Sequence, residues 1–468
     1  MAIKQTIEFN SNNTYFAGFL QEIINKSEIE GSVIQKDKKI EMVLENKNVD
    51  RLNKFLSLSQ KYLPHSIFLG NIQTKVEDVS VNKTAFKSKT YNISPCKRCL
   101  DEILDPSNEH YLDDEYLCTH YCNEPKTYQD NTIFSPHYSE KSAVLITDAS
   151  KINELFILTE DETKALFSIE KPTLKATIKD ETLKEITGKK FINIKASYNL
   201  RSILAALNAK ESGIDYLFFN NNDDLKITIV KKNISIIKAK RVASKLQNLH
   251  KDMVLNRFLN IKKEAGFKKT TGANLSRTNG ICFMVADETD AKKVINFQKF
   301  NLKEILENMQ NDENRKKLIK NFKEKFSHII EELQENPHYD LFETLSALLE
   351  LKERGFEELS DKALEFRGNG GLKIDTLFKE GGFDYTSFLG SVMSFKLADC
   401  EEKFLAYSIF EAFGDMSMDI LNQLKRKFEI NNVIMMGNMF ENSVLYSRIL
   451  SKYQLANPYF GKSFALDD

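Results

Sequence analysis

The sequence predicts a multidomain protein that combines α+β and α/β domains. Its 468 residues are enough for about three or four domains. Two separate regions combine alternating β-branched residues, which are typical of strands, with apolar residues at helical spacing. A segment rich in proline and cysteine lies between them, and the last part of the chain has a mainly helical pattern. These changes divide the chain into four predicted domains, at 1–88, 89–140, 141–246 and 247–468.

The first domain, 1–88, has the pattern of a small α+β unit. The segments IKQTIEF and GSVIQKDKKIEMVLE alternate as strands do, whereas YFAGFLQEIIN and NVDRLNKFLSLSQKYL carry apolar residues at helical spacing. The resulting order is strand, helix, hairpin, helix, strand. This order predicts a ferredoxin-like module.

The segment 89–140 contains two close cysteine pairs. Cys96 and Cys99 form the first pair, and Cys118 and Cys122 form the second. The segment also holds half of the eight prolines and has few long apolar runs, so it is unable to bury a core of its own. Two close pairs of soft thiolate ligands predict a zinc ion that orders the segment.

The fourth zinc ligand has two candidates. Cys118 and Cys122 are separated by three residues, one more than in a CxxC pair. His120 lies between them, and zinc also accepts three cysteines with one histidine. Both Cys122 and His120 stay open as the fourth ligand.

The rest of the chain has two further predicted domains. In 141–246 the segments AVLITDA, KFINIKA and DYLFFN are typical of strands, and NLRSILAALNAK of a helix. A hairpin is expected over LKITIVKKNISIIKAKRV, with its turn near Lys232-Asn233. From about 247 the pattern is mainly helical, with amphipathic stretches at 300–333 and 340–363. Near the end, the strand-like NNVIMMG leads into the helix NSVLYSRILSKY.

Composition argues against several classes of protein. The net charge is −1, which provides no overall electrostatic attraction to nucleic acid or to an anionic membrane. No uninterrupted apolar stretch approaches the ~20 residues of a membrane helix, and MAIKQTIEFN lacks the apolar run of a signal peptide. We therefore expect a cytoplasmic protein without membrane insertion or a nucleic-acid partner. In the cytoplasm thiols stay reduced, which favours metal binding over disulfides.

The segment CKRCLDEILDPSNEHYLDDEYLCTHYC resembles the zinc module of the hydrogenase-maturation carbamoyltransferases of the HypF type. The positions that fit the family pattern are Cys96, Cys99, Glu102, Asp105-Pro106, Tyr111 and Cys118. The order of the remaining segments also resembles this family. The resemblance implies an acylphosphatase-like first domain, a zinc module, a YrdC-like third domain and a Kae1-like C-terminal domain of the actin/Hsp70 type.

A second resemblance lies near the C-terminus. The turn in MMGNMFEN (435–442) is similar to the family's SGGVFQN turn, with Gly437 in common and Asn438 in place of a glycine. Asparagine is the next-best residue for a left-handed turn. The resemblance implies that Gly437 and Asn438 lie beside the phosphate of a nucleotide such as ATP.

Several catalytic residues of the family have no counterpart here. The arginine and asparagine of its acylphosphatase signature fall at Ala17 and near Gln35. Its run of metal-binding histidines is missing, because no two of the seven histidines are adjacent or four residues apart. Glu411 occupies the position of another family histidine. We therefore assign no catalytic residues from the sequence.

Three hypotheses follow from this comparison. The first is an accessory protein of nickel–iron hydrogenase assembly that holds a structural zinc and has lost catalysis. Its partners would be the hydrogenase large subunit, another maturation protein, or both. The second is a divergent, ATP-dependent carbamoyltransferase for the same metallocentre. The third is a zinc protein unrelated to hydrogenase.

Overall fold

The computed structural model describes residues 2–45, 47–78, 86, 93–116, 132–220, 225–379, 381–452 and 458–467. The chain forms two compact units. The first runs to Lys245 and includes 462–466, and the second comprises 246–461 together with Asp467. No helix among the described residues is both long and apolar enough to cross a membrane.

The first unit begins with a four-stranded antiparallel sheet. Its strands and helices, in chain order, are β1 (Ala2–Phe9), α1 (Tyr15–Ser27), β2 (Gly31–Lys36), β3 (Lys39–Glu45), α2 (Val49–Tyr62) and β4 (Leu69–Glu77). The strand order is β2-β3-β1-β4, so the predicted ferredoxin-like arrangement is confirmed. The alternation in β3 has its predicted effect, because Ile40, Met42 and Leu44 are buried while Lys39 and Glu41 are exposed.

A short helix, α3 (Lys97–Ile103), starts in the cysteine-rich segment. It is followed by a mixed six-stranded sheet in the order β5-β10-β6-β9-β8-β7, in which only β6 and β9 pair in parallel. The strands of this sheet are β5 (Phe134–Ser135), β6 (Ser142–Ile146), β7 (Phe156–Ile157), β8 (Leu174–Ile178), β9 (Phe191–Ala196) and β10 (Tyr216–Asn220). The helices between them are α4 (Ile152–Leu155), α5 (Glu160–Leu166), α6 (Glu181–Thr187) and α7 (Leu200–Glu211).

The predicted hairpin after this sheet is present. Strand β11 (Leu225–Val230) pairs with β12 (Asn233–Ala239) in antiparallel register. The turn consists of Lys231 and Lys232, which have positive φ angles of 47° and 67°. This places the turn one residue before the predicted position, and two consecutive positive φ angles are typical of a tight type I′ hairpin turn.

A buried carboxylate joins the first sheet to the second within the first unit. Glu170 is fully buried and accepts hydrogen bonds from the Tyr15 hydroxyl at 2.6 Å, the Ser66 hydroxyl at 2.5 Å and the Ile67 amide at 3.0 Å. The Arg241 guanidinium donates to the Glu170 backbone carbonyl at 3.0 Å. Hydrogen bonds of this kind compensate for the loss of water around the carboxylate.

The second unit is built on a five-stranded sheet in the order β15-β14-β13-β18-β19. Its strands are β13 (Thr270–Ser276), β14 (Gly280–Ala286), β15 (Ala291–Asn296), β18 (Val433–Met436) and β19 (Tyr459–Phe460), and a two-stranded hairpin is formed by β16 (Phe378–Lys379) and β17 (Gly382–Phe383). Only the strand at 433–436 was expected from the sequence. All seven residues of β13 are buried, so its sequence, TTGANLS, has no alternation that predicts a strand.

Helices make up most of the remainder of the second unit, as the sequence predicted. They are α8 (Met253–Ala265), α9 (Leu302–Asn311), α10 (Glu313–Lys325), α11 (Ser327–Glu335), α12 (Leu341–Leu348), α13 (Phe356–Leu364), α14 (Tyr385–Leu397), α15 (Glu402–Phe428) and α16 (Ser443–Lys452). The amphipathic stretch at 300–333 is thus three successive helices. Asp312 and Phe326 separate them, and both residues have non-helical backbone angles.

Candidate functional site

Two of the four predicted zinc ligands lie close together. Cys96 is the N-cap residue of α3 and Cys99 follows one turn later, so both side chains lie on the same side of the helix. Both are buried, and their sulfurs are 3.5 Å apart. Two sulfurs bound to one tetrahedral zinc, each at ~2.3 Å, are ~3.8 Å apart. The observed pair therefore fits half of a zinc site with little rearrangement.

The described part of this segment has one ion pair to α1 and further contacts within itself. Arg98 donates to Glu22 of α1 at 2.6 Å. Tyr116 donates to Glu102 at 2.8 Å, and its ring stacks on His110 with centroids 4.1 Å apart. The other proposed ligands, Cys118, Cys122 and the alternative His120, lie outside the described residues. Within the described ranges no group of three potential metal ligands occurs.

The loop before α1 uses its polar groups internally. Ala17, at the family's arginine position, is fully buried in α1. The Gln35 side chain donates to the backbone carbonyls of Ser11 at 3.1 Å and Asn13 at 3.0 Å. A phosphate would require N–H donors at this place, whereas here carbonyl oxygens face the Gln35 amide.

The turn after β18 contains the predicted phosphate-contact residues. Gly437 has φ of 111°, and a Cβ at this position would lie 2.2 Å from the Leu275 carbonyl oxygen. Glycine is therefore required here because β13 approaches the turn closely. The left-handed conformation expected for Asn438 is not observed, because only Gly437 in this turn has positive φ. That expectation was wrong, because Gly437 alone provides the positive φ angle that the turn needs.

Asn438 is buried and its side chain is used within the protein. Its side-chain oxygen accepts from the Arg277 amide at 3.0 Å, and its side-chain nitrogen donates to Thr278 at 3.2 Å. These contacts tie the turn after β18 to the turn between β13 and β14. The two turns thus form one polar cluster.

Asp467 lies at the centre of this cluster. It was not identified from the sequence as a site residue. Its carboxylate accepts hydrogen bonds from Ser276 at 2.5 Å, Asn279 at 2.6 Å and the Asn438 backbone amide at 3.1 Å. The buried Arg257 guanidinium lies 3.6 Å from it. No motif spacing connects Asp467 to these residues, because they lie about 30 to 210 positions away along the chain.

Arg277 adds a second connection between the same elements. Its guanidinium donates to Glu357 of α13 and to Glu441, both at 2.9 Å, and lies over the Phe356 ring at 4.3 Å. Burial lowers the pKa of Arg277, but the two carboxylates outweigh burial and raise it. This arginine therefore stays charged and fixes the β13–β14 turn in place.

Glu411, at another family histidine position, is also engaged in structural contacts. It accepts from the Gly371 backbone amide at 2.6 Å and from Arg448, whose Nη1 lies 2.8 Å away. Arg448 in turn binds Asp415 in a bidentate pair at 2.6 and 2.7 Å. This arrangement holds the loop around Gly371 against α15.

Two further cysteines, Cys282 and Cys400, lie outside the cysteine-rich segment. Cys282 is buried in β14, and Cys400 is partly exposed. Burial raises the pKa of Cys282 to about 11. Because the thiolate is the nucleophile, Cys282 is expected to be inert near neutral pH.

We expect Cys282 to react with iodoacetamide more slowly than the partly exposed Cys400. Its alkylation rate should increase with pH up to its pKa of about 11, because a raised pKa delays formation of the thiolate. Mass spectrometry of labelled peptides over a pH series measures both rates. A Cys282 rate that levels off near pH ~8.5, the ordinary thiol value, would contradict the raised pKa.

Comparison with solved structures identifies the fold. A crystal structure of full-length HypF in its phosphate- and nucleotide-bound form superposes with a TM-score of 0.56, covering 99% of this chain and 97% of that one at 13% identity. HypF from T. kodakarensis gives a TM-score of 0.61 with the same coverage, at 12% identity. These identities are low, so the likeness shows the fold.

Comparison of sequences gives a shorter match. Protein HydE of Wolinella succinogenes is 27% identical over 158 residues, which are 30% of this chain and 29% of HydE. The chain thus matches less than a third of the length of this relative. No family model matches the chain. The full-length structural agreement confirms the predicted multidomain α+β and α/β class, and this chain has a HypF-type fold.

Proposed function

We propose that this chain is an accessory protein of nickel–iron hydrogenase assembly. Its HypF-type fold and its partial match to HydE support a role in this process. The role proposed is binding rather than catalysis. It takes place in the cytoplasm, with the hydrogenase large subunit, another maturation protein, or both as partners.

The observation that carries the proposal is the internal hydrogen bonding around Gly437 and Asn438. Asp467, Asn438 and Arg277 bond to neighbouring protein groups. A nucleotide-binding site keeps donors oriented towards the phosphates. Here the side chains nearest the predicted phosphate position satisfy one another, which favours a structural role for the cluster.

A structural zinc completes the proposal. Cys96 and Cys99 supply two thiolates at a suitable separation, and we assign Cys118 with either Cys122 or His120 as the other two ligands. In a closed tetrahedral site of this kind, zinc supplies folding free energy to a segment that has few apolar residues.

Deletion of the gene in its own organism is expected to lower nickel–iron hydrogenase activity, with unprocessed large subunit accumulating. Activity measured in cell extract and immunoblotting of the large subunit test this. Re-expression of the wild-type chain should restore activity, and affinity purification should recover the large subunit or a maturation protein. Normal hydrogenase activity in the deletion strain would overturn the proposed role.

The alternative, a divergent ATP-dependent carbamoyltransferase, is favoured by one feature. The chain retains the tight glycine turn after β18, with Gly437 packed on Leu275. Calorimetry with ATP and magnesium separates the two functions. Saturable binding that is lost in an Asn438→Leu variant would support the enzyme, whereas absence of binding would support the accessory role.

A further inference from the structure

The second unit contains a polar cleft of about 330 Å³ outside the cluster around Asp467. Its lining residues come from both halves of α9, from the first turn of α10 and from the N-terminal end of α14. Three basic side chains line it, and these are Lys299, Arg315 and Lys379. Three amide side chains also line it, from Gln298, Asn301 and Asn308.

An internal carboxylate holds two of these cations close to one point. Asp384 is 8% exposed and accepts the Ser387 backbone amide at 2.9 Å as the N-cap of α14. Its Oδ2 lies 3.1 Å from Lys379 and 3.8 Å from Arg315. One carboxylate is thus shared by two cations. Within the described part of the chain, Lys299 has no hydrogen-bond or ion-pair partner, so positive charge remains in the cleft.

The positive charge continues along α10. Between Glu313 and Lys325 this helix carries six basic and two acidic side chains. Phe322 is fully buried, and the opposite side of the helix presents a lysine face composed of Lys316, Lys317, Lys320 and Lys323. Lys316 directly follows Arg315, which lines the cleft, so the lysine face begins one residue along α10 from the cleft.

Exposed apolar side chains border the cleft on another side. Leu377 is 51% exposed and Phe378 is 37% exposed, immediately before Lys379. Basic and apolar groups side by side complement a partner that presents acidic and apolar side chains together. We propose that the cleft and the lysine face form a docking surface for an acidic segment of another protein, with one carboxylate entering the cleft.

The chemistry of the surface favours a peptide over a nucleic acid. Glu304 and Asp384 lie in the cleft beside the cations and would repel a backbone that carries a phosphate at every step. An acidic peptide can place its carboxylates away from Glu304 and Asp384, and the side-chain amide of Asn308 can bond the peptide backbone. This inference stands without the proposed role in hydrogenase assembly, since it concerns a surface and the charge of its partner.

Fluorescence anisotropy of the full-length chain tests the surface directly. The probe is a fluorescein-labelled peptide of alternating glutamate and leucine. We expect saturable binding that weakens as salt increases, and a Lys299→Glu variant that binds about tenfold more weakly. A Lys316→Glu variant, in which an exposed side chain changes, should also bind more weakly.

Lys268→Glu is the matched control. Lys268 is an exposed lysine that lies 3.9 Å from Glu288. Glu288 precedes the start of β15, whereas the cleft residue Gln298 follows the end of the same strand. This variant should bind the probe as the wild type does. Unchanged affinity in both Lys299→Glu and Lys316→Glu would overturn the proposal. So would equal binding of a lysine–leucine peptide, or tighter binding of a single-stranded oligonucleotide.

Discussion

Replacing Cys96 with serine is expected to remove zinc from the purified protein and to unfold the segment that begins at α3. Structural zinc contributes on the order of 10 kcal/mol in small modules, and a serine hydroxyl is a poor substitute for a thiolate ligand. Zinc content by elemental analysis and hydrogen exchange of residues 96–116 measure the two effects. Exchange in α3 should approach that of an unfolded peptide, because Cys99 alone leaves the site incomplete.

Cys400→Ser is the control for this change, since Cys400 is a partly exposed cysteine outside the cluster. It should retain the wild-type zinc content. A Cys118→Ser variant should lose zinc as Cys96→Ser does. The separate variants His120→Ala and Cys122→Ser then decide the fourth ligand. Wild-type zinc content in both Cys96→Ser and Cys118→Ser would refute the zinc site.

Replacing Asp467 with alanine is expected to destabilise the second unit by about 3–5 kcal/mol, the usual effect of breaking a buried ion pair by removing one of its members. Arg257 would lose this carboxylate, and Ser276, Asn279 and the Asn438 amide would lose this acceptor. The corresponding fall in melting temperature is on the order of 10 °C for a unit of this size. Calorimetry measures this fall, and hydrogen exchange at 276–280 shows where it arises.

Glu324→Ala is a matched control, because it removes a carboxylate 3.9 Å from Lys320 that is largely exposed. Exposed ion pairs contribute about 0–1 kcal/mol, so its melting temperature should stay near that of the wild type. Asp467→Asn should give an intermediate result, because it keeps the shape but removes the charge. If Asp467→Ala has the same melting temperature as Glu324→Ala, the cluster around Asp467 does not stabilise the second unit.

The first domain was the most predictable part of the fold. Its strand Lys39–Glu45 alternates between buried and exposed residues, so local pattern and tertiary position agree there. The strand Thr270–Ser276 was missed because its local pattern does not indicate a strand. It is buried on both faces, and its glycine and asparagine are uncommon in strands.

Some residues of the candidate site could also be predicted from local sequence, and others could not. Cys96 and Cys99 could be predicted as a ligand pair, because three residues of separation at a helix start fix their geometry locally. Gly437 was singled out from its turn. The role of Asn438 could not be predicted, since its hydrogen-bond partners, Arg277 and Thr278, lie about 160 residues away.

The sequence alone determined the multidomain class, the ferredoxin-like order, the cysteine pairs and the resemblance to the HypF-type family. All of these depend on spacing along the chain. Only the tertiary structure decided that Asp467 is the centre of the cluster beside Gly437, and that Arg315 and Lys379 converge on Asp384. Hydrogen bonds and ion pairs between distant residues depend on distances in space, and the turns that create those distances are set by packing of the whole unit.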